Sequence, residues 1–218
     1  SQGPRRGFLY ENDPNGLVDW AVLPPGCQAG FTVGAAGADY TTIQAALDAL
    51  PKTLLGDTCV ALQDTGPFNE QVRIEGFSSA AGYSLTVLPD PAVAGRPVID
   101  PPALATAAFR VLNASVTVSG VDIRPTVDGV PYGVFSSSAG LTLESVNVDA
   151  AGVVTLAAVR VSSRSSVTGS SITARAGYGL WVEGGTRTLV TDSTAAVTGA
   201  NSVAVFLDRV SSSVLTGV

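Results

Sequence analysis

From residue 107 onward one short pattern returns at nearly constant spacing, and it restricts the fold more than any other feature of the chain. Val118-Ser-Gly-Val-Asp-Ile123 aligns with Leu143-Glu-Ser-Val-Asn-Val148, Val167-Thr-Gly-Ser-Ser-Ile172 and Val190-Thr-Asp-Ser-Thr-Ala195, and a partial copy begins at Val214. Positions 118, 143, 167, 190 and 214 lie 25, 24, 23 and 24 residues apart. Each unit has an alternating run upstream: Phe109/Val111, Val134/Ser136, Val159/Val161, Leu180/Val182 and Val203/Val205/Leu207. A fixed period marks a repeat architecture, in which each unit buries its apolar face against the next. About 24 residues is too short for a helix pair or a propeller blade. The β-branched residues and small turns predict one coil of a parallel β-solenoid, each coil lending its backbone N–H and C=O groups to the next. The predicted inward columns are Val118/Leu143/Val167/Val190/Val214 and Ile123/Val148/Ile172/Ala195.

Composition agrees with that reading. Of the 218 residues 45% are hydrophobic, enough for a sizeable core, and only 14% are charged, against about 25% in typical domains. Ser, Thr, Gly and Ala must therefore cover the surface, and 24 Gly with 13 Pro do not suit a helix bundle. Histidine is absent, which excludes Ser-His-Asp and Cys-His mechanisms, histidine-ligated zinc and imidazole acid–base chemistry. A net charge of −6 argues against nucleic acid as a partner. No apolar run approaches the ~20 residues of a membrane span. The absence of methionine leads to the expectation that a leader was removed or the segment excised from a longer chain.

Residues 1–26 differ in character, with scattered Phe8, Tyr10 and Trp20 and a close on Leu23-Pro-Pro-Gly26, and are expected to form an extended arm. Residues 27–218 are then the solenoid domain, regular from 107. Phe31–Val33 predicts a strand, and a helix is predicted over about 42–50. Thr41 and Gln44 fit a capping box, Ile43, Ala46, Leu47 and Leu50 make one apolar stripe, and Pro51 stops it. Strand-like runs follow at Cys59–Leu62, Gln71–Ile74, Ser84–Leu88 and Pro97–Ile99. Cys27 and Cys59 are the only cysteines. They read either as one disulfide of an oxidising compartment or as two buried thiols.

Phe31-Thr-Val33, Tyr40-Thr-Thr-Ile-Gln-Ala-Ala-Leu-Asp-Ala-Leu50 and Gly66-Pro-Phe-Asn-Glu70 resemble the opening of pectin methylesterases and other pectin-lyase-like proteins. The resemblance covers roughly residues 30–75, with Phe68 in place of the family's usual Tyr. It implies an all-β, right-handed, single-stranded parallel β-helix whose N-terminal end is capped by the short helix. It also implies a check for the family's catalytic motifs. Gln63-Asp-Thr-Gly66 looks like one of them but lies directly before the Gly66–Glu70 turn instead of far downstream, and the other three have no counterpart.

Four further features are relevant to function. Asp122 shares an outward column with Asn147, Ser171 and Thr194, while Glu144 and Asp192 stand singly in theirs; isolated carboxylates of this kind are expected as surface charges. Glu11, Asp13, Asn15 and Asp19 around Gly16 resemble a short calcium loop, though Val22 stands where a bidentate acid belongs; a plain Asp-Pro-Asn-Gly turn is the other reading. Arg110, Phe135, Arg160, Trp181 and Phe206 fall in one column. At about 4.8 Å between strands they stack into a guanidinium–aromatic stripe. It is either a self-satisfied surface ladder or a contact surface for glycan, the arm or another subunit. Finally, the last repeat stops at Val218 without helix, proline cluster or charge run, so further solenoid coils or other copies of the chain are expected at that open end.

With no catalytic constellation, a disulfide pattern and Ser/Thr-rich faces, the expected function is a non-catalytic extracellular module of a surface, adhesive or fibre-forming protein. The alternative is a carbohydrate-active enzyme or glycan-binding module. No cofactor is expected beyond the calcium candidate.

Overall fold

A computed structural model describes residues 23–150, 152, 154–184 and 186–218. They form a parallel β-solenoid of about 7 turns. From residue 85 on, the chain visits three sheets in strict rotation. The first sheet has eight strands: Ala29–Val33, Thr58–Leu62, Leu85–Pro89, Ser115–Ser119, Gly140–Glu144, Ser166–Thr168, Leu189–Thr191 and Val214–Thr216. The second has five: Val98–Ile99, Asp122–Ile123, Asn147–Ala150, Ser171–Ala174 and Thr194–Val197. The third has six: Val72–Glu75, Ala107–Leu112, Tyr132–Ser137, Ala157–Val161, Tyr178–Glu183 and Val203–Asp208. Neighbouring strands within each sheet run parallel.

From residue 113 on, single left-handed residues turn two corners of the coil. Between the eight- and five-stranded sheets these are Gly120, Ser145, Gly169 and Asp192, and Gly217 holds the same position after the last strand, with φ between 49° and 65°. Asn113, Ser138, Arg164, Arg187 and Ser212, with φ between 48° and 61°, do the same between the six- and eight-stranded sheets. The residue after the first bend points inward: Val121, Val146, Ser170 and Ser193 are all buried. Where it is serine, its hydroxyl serves the backbone. Ser170 Oγ accepts from Val146 N–H at 3.1 Å and donates to the Thr168 carbonyl at 3.0 Å. Ser193 Oγ accepts from Ser170 N–H at 3.1 Å and donates to the Thr191 carbonyl at 2.8 Å. Buried polar groups thus find partners in the adjacent coil.

The register places Val118, Leu143, Val167 and Val190 in one column and Ile123, Val148, Ile172 and Ala195 in another. All but the partly buried Ala195 belong to the solvent-free core. The last rung differs from expectation. Leu189 pairs with Val214, so Leu215, not Val214, continues the column below Val190. Two adjacent apolar residues allowed the one-step slip. The signal that resolves it is Leu215-Thr-Gly217, which repeats Val167-Thr-Gly169 and puts Gly217 at the left-handed corner.

The helix spans Ile43–Ala49 and buries Ile43, Ala46 and Leu47. Its N-cap is Thr42, whose Oγ accepts from Ala45 N–H at 3.2 Å, and not Thr41. Gln44 makes no capping box. Its Oε1 accepts from Arg73 N–H at 2.7 Å and its Nε2 donates to the Arg73 carbonyl at 3.3 Å. The role expected of Gln44 falls to Glu70, whose carboxylate accepts from Ile43 N–H at 2.8 Å and Gln44 N–H at 2.9 Å. Burial raises the Glu70 pKa, and these two backbone bonds pull against the rise. A sequence window sees only local partners; here the cap comes from 27 residues downstream.

Cys27 and Cys59 are bonded, with Cα atoms 5.6 Å apart. They form a small apolar cluster with Leu23 and Leu88. Phe8, Tyr10 and Trp20 of the expected arm lie outside the described residues, as do Glu11, Asp13, Asn15 and Asp19 of the calcium-loop candidate.

Candidate contact surface

On the outside of the six-stranded sheet the stripe read from the sequence is in register. Arg110 pairs with Phe135, Phe135 with Arg160, Arg160 with Trp181 and Trp181 with Phe206. The column begins one rung earlier than expected, because Arg73 pairs with Arg110. Arg73 was not legible as a member: 37 positions separate it from Arg110, and the regular period starts only at 107.

The stripe is tightly knit. The Arg160 guanidinium carbon lies 4.8 Å from the Phe135 ring centre and 4.9 Å from that of Trp181, sandwiched between two π faces. Glu183 pairs with Arg160 and, at 3.1 Å, with Arg209; Glu75 pairs with Arg110. Tyr178 stacks on Phe206 with ring centres 4.6 Å apart and planes 15° from parallel. Beside the column, Ala107, Tyr132 and Ala157 make a second apolar cluster against Phe135, Tyr178 and Trp181, outside the main core. The tyrosines escaped the sequence reading because they sit three positions before the stripe, at the corner where strict alternation fails. Two N–H groups, Arg160 Nε and Trp181 Nε1, are buried without a hydrogen-bond partner.

A cleft of about 510 Å³ adjoins the stripe at the corner toward the eight-stranded sheet, with Ser138, Ser163, Arg164, Glu183 and Arg209 in its walls. Arg164 holds one of the left-handed corner positions, which turns its side chain out to solvent.

Glu144 and Asp192 are exposed, as expected of surface charges, whereas other carboxylates hold the coils. Asp122, expected on the surface, is buried instead. Its Oδ1 accepts from Arg96 Nε at 2.6 Å and from Asn147 Nδ2 at 3.0 Å, and its Oδ2 pairs with Arg124 at 2.8 Å. Arg96 reaches on to the Val121 carbonyl at 2.9 Å and to the Ser145 carbonyl, linking successive coils. Asp64 of the Gln63–Gly66 segment accepts from Gly66 N–H at 2.9 Å, closing its own turn, and from Ala35 N–H at 2.7 Å, tying that turn to the loop after the first strand. Among the described residues no group of three or more Cys, Asp or Glu side chains is placed to hold a metal ion. No helix there is long and apolar enough to cross a membrane.

Fold and surface together define the class: a parallel β-solenoid with one aromatic–guanidinium stripe along its length. Comparison with protein-family models, curated proteins and solved structures found no match.

Proposed function

We propose that the chain is a non-catalytic extracellular β-helix module of a surface, adhesive or fibre-forming protein, acting through its outer face. The observation that carries this reading is the stripe from Arg73 to Phe206. It concentrates large aromatic and guanidinium groups in one line on the outer face of the six-stranded sheet. The Cys27–Cys59 disulfide suits an oxidising compartment. The carboxylates that invite a catalytic reading have structural employment: Asp122 with Arg96 and Arg124, Glu70 at the helix N-terminus, Asp64 in its turn.

The finer architecture belongs to the same proposal. The coils wind right-handed, as parallel crossovers nearly always do, in the manner of pectin-lyase-like proteins. The helix closes the N-terminal end, and support comes from Gln44, which bonds both backbone groups of Arg73 as an added strand would. The opposite end exposes Leu207, Val214 and Leu215, where another copy would continue the sheets.

A second reading, a glycan-binding or carbohydrate-active module, draws on the hydroxyl- and arginine-lined cleft at Ser138, Ser163, Arg164 and Arg209. The test is incubation of the purified chain with a panel of acidic and neutral polysaccharides, following reducing ends, unsaturated products and methanol. No product is expected. Release of any of the three overturns the non-catalytic reading.

A further inference from the structure

The order of residues along the stripe has a symmetry of its own. From the first rung to the last it runs Arg73, Arg110, Phe135, Arg160, Trp181, Phe206. Reversed and laid on itself, every arginine meets an aromatic ring: Arg73 meets Phe206, Arg110 meets Trp181, and Phe135 meets Arg160. We infer that the six-stranded face binds a second copy of this chain as a two-fold dimer with the solenoids antiparallel. The inference rests on the proposed reading of the outer face as a contact surface and names its partner.

The geometry of face-to-face packing permits this pairing. In a two-fold contact residue i meets j and j meets i. An axis lying in the interface along the strand direction, between the Phe135 and Arg160 rungs, keeps each column over itself while reversing its order. An axis along the solenoid would instead set Arg73, Arg110 and Arg160 each against its own copy, three like-charge contacts.

Charge follows the same order. Arg73 and Arg110 occupy the early rungs, whereas Glu183 and Asp208 flank the late aromatic rungs, two positions along from Trp181 and Phe206. Antiparallel pairing brings the cationic end of one copy to the acidic, aromatic end of the other. Glu75 and Asp208 also meet across it, each already held by an arginine of its own chain, Arg110 and Arg209.

The face also carries apolar side chains outside the main core: Ala107, Tyr132 and Ala157 cluster against Phe135, Tyr178 and Trp181. Six rungs span about 24 Å and a six-residue strand about 20 Å. Such a contact covers about 1,000 Å² over both copies, the lower limit of a specific interface. The dimer is therefore weak and concentration-dependent.

The test combines sedimentation with cross-linking on the full 218-residue chain, whose native cysteines are already bonded to each other. The unaltered chain should show a reversible monomer–dimer equilibrium, and Arg110→Glu should weaken it at least about tenfold. An Arg73→Cys chain mixed with a Phe206→Cys chain should give a disulfide-linked heterodimer under mild oxidation, while either variant alone stays monomeric on a non-reducing gel. A monomer at all concentrations overturns the inference. So does self-linking of Arg73→Cys, which means a parallel dimer, and so does an open ladder of oligomers indifferent to Arg110→Glu, which means end-to-end association. A monomer leaves the non-catalytic reading standing, and product release from a polysaccharide leaves the dimer standing, so the two failures are distinguishable.

Discussion

Glu70 shows how one side chain can join two elements at an electrostatic cost. Its carboxylate satisfies two otherwise free N–H groups at the start of the helix, yet burial holds its pKa above the ordinary carboxylate value. A folded state that keeps the proton more firmly than the unfolded chain is favoured at low pH and loses that advantage as pH rises through the raised pKa. The melting temperature of the native chain, measured against that of Glu70→Gln, should therefore fall as pH rises above the ordinary glutamate value of about 4.3. A difference that grows with pH would mean the backbone bonds outweigh burial. The disulfide acts on the unfolded state instead. Cys27→Ser should cost about 3–4 kcal/mol by loop-closure entropy, visible in denaturant titration, and reductant should lower the native chain to the same midpoint.

The corners and faces of the coil are the next scale. A coil can turn within one residue because that residue accepts positive φ, and Gly120, Gly169 and Gly217 accept it without steric cost. The inward residue that follows can be apolar, as at Val121 and Val146, or a serine that bonds the neighbouring coil, as at Ser170 and Ser193. Ser170→Ala removes a single oxygen and strips Val146 N–H of its acceptor. The expected loss is about 1–3 kcal/mol, read as a lower unfolding midpoint; a neutral result would mean that the hydroxyl adds nothing beyond filling space. On the eight-stranded face Leu143 sits between Val118 and Val167 with no solvent exposure. Leu143→Asp buries a carboxylate without a partner and should cost more than about 4 kcal/mol. An unchanged melting temperature would place this column on the outside.

Across the whole molecule stability should be graded, because each coil of a solenoid touches only its neighbours. The central coils are covered on both sides, and Val118, Leu143 and Val167 are solvent-free. In the last coil the corresponding inward positions are open: Leu215 is 37% and Leu207 46% exposed. Local opening is easiest where few apolar contacts must break. Amide hydrogen exchange in this chain should therefore be fastest in Val203–Asp208 and Val214–Thr216 and slowest in Ser115–Ser119 and Gly140–Glu144. Uniform protection across all coils would indicate a single cooperative unit, or a partner seated on the open end.

What the sequence determined by itself was whatever depends on periodicity: the parallel coils, the inward columns through Leu143 and Val148, and the in-register stripe from Arg110 to Phe206. A repeat records the same environment several times over, so each copy corrects the reading of the others. Only the tertiary structure decided the features that occur once. Glu70 reaching the helix start, Gln44 bonding Arg73, and Arg96 reaching Asp122 all join residues that no local window compares as partners. The Leu215 rung and the addition of Arg73 to the stripe were decided the same way, at the two limits of the regular period. A pattern with spacing can be extended from within; at its ends, hydrogen bonds to the neighbouring coil choose which of two adjacent residues faces in, and those bonds exist only once the chain has folded.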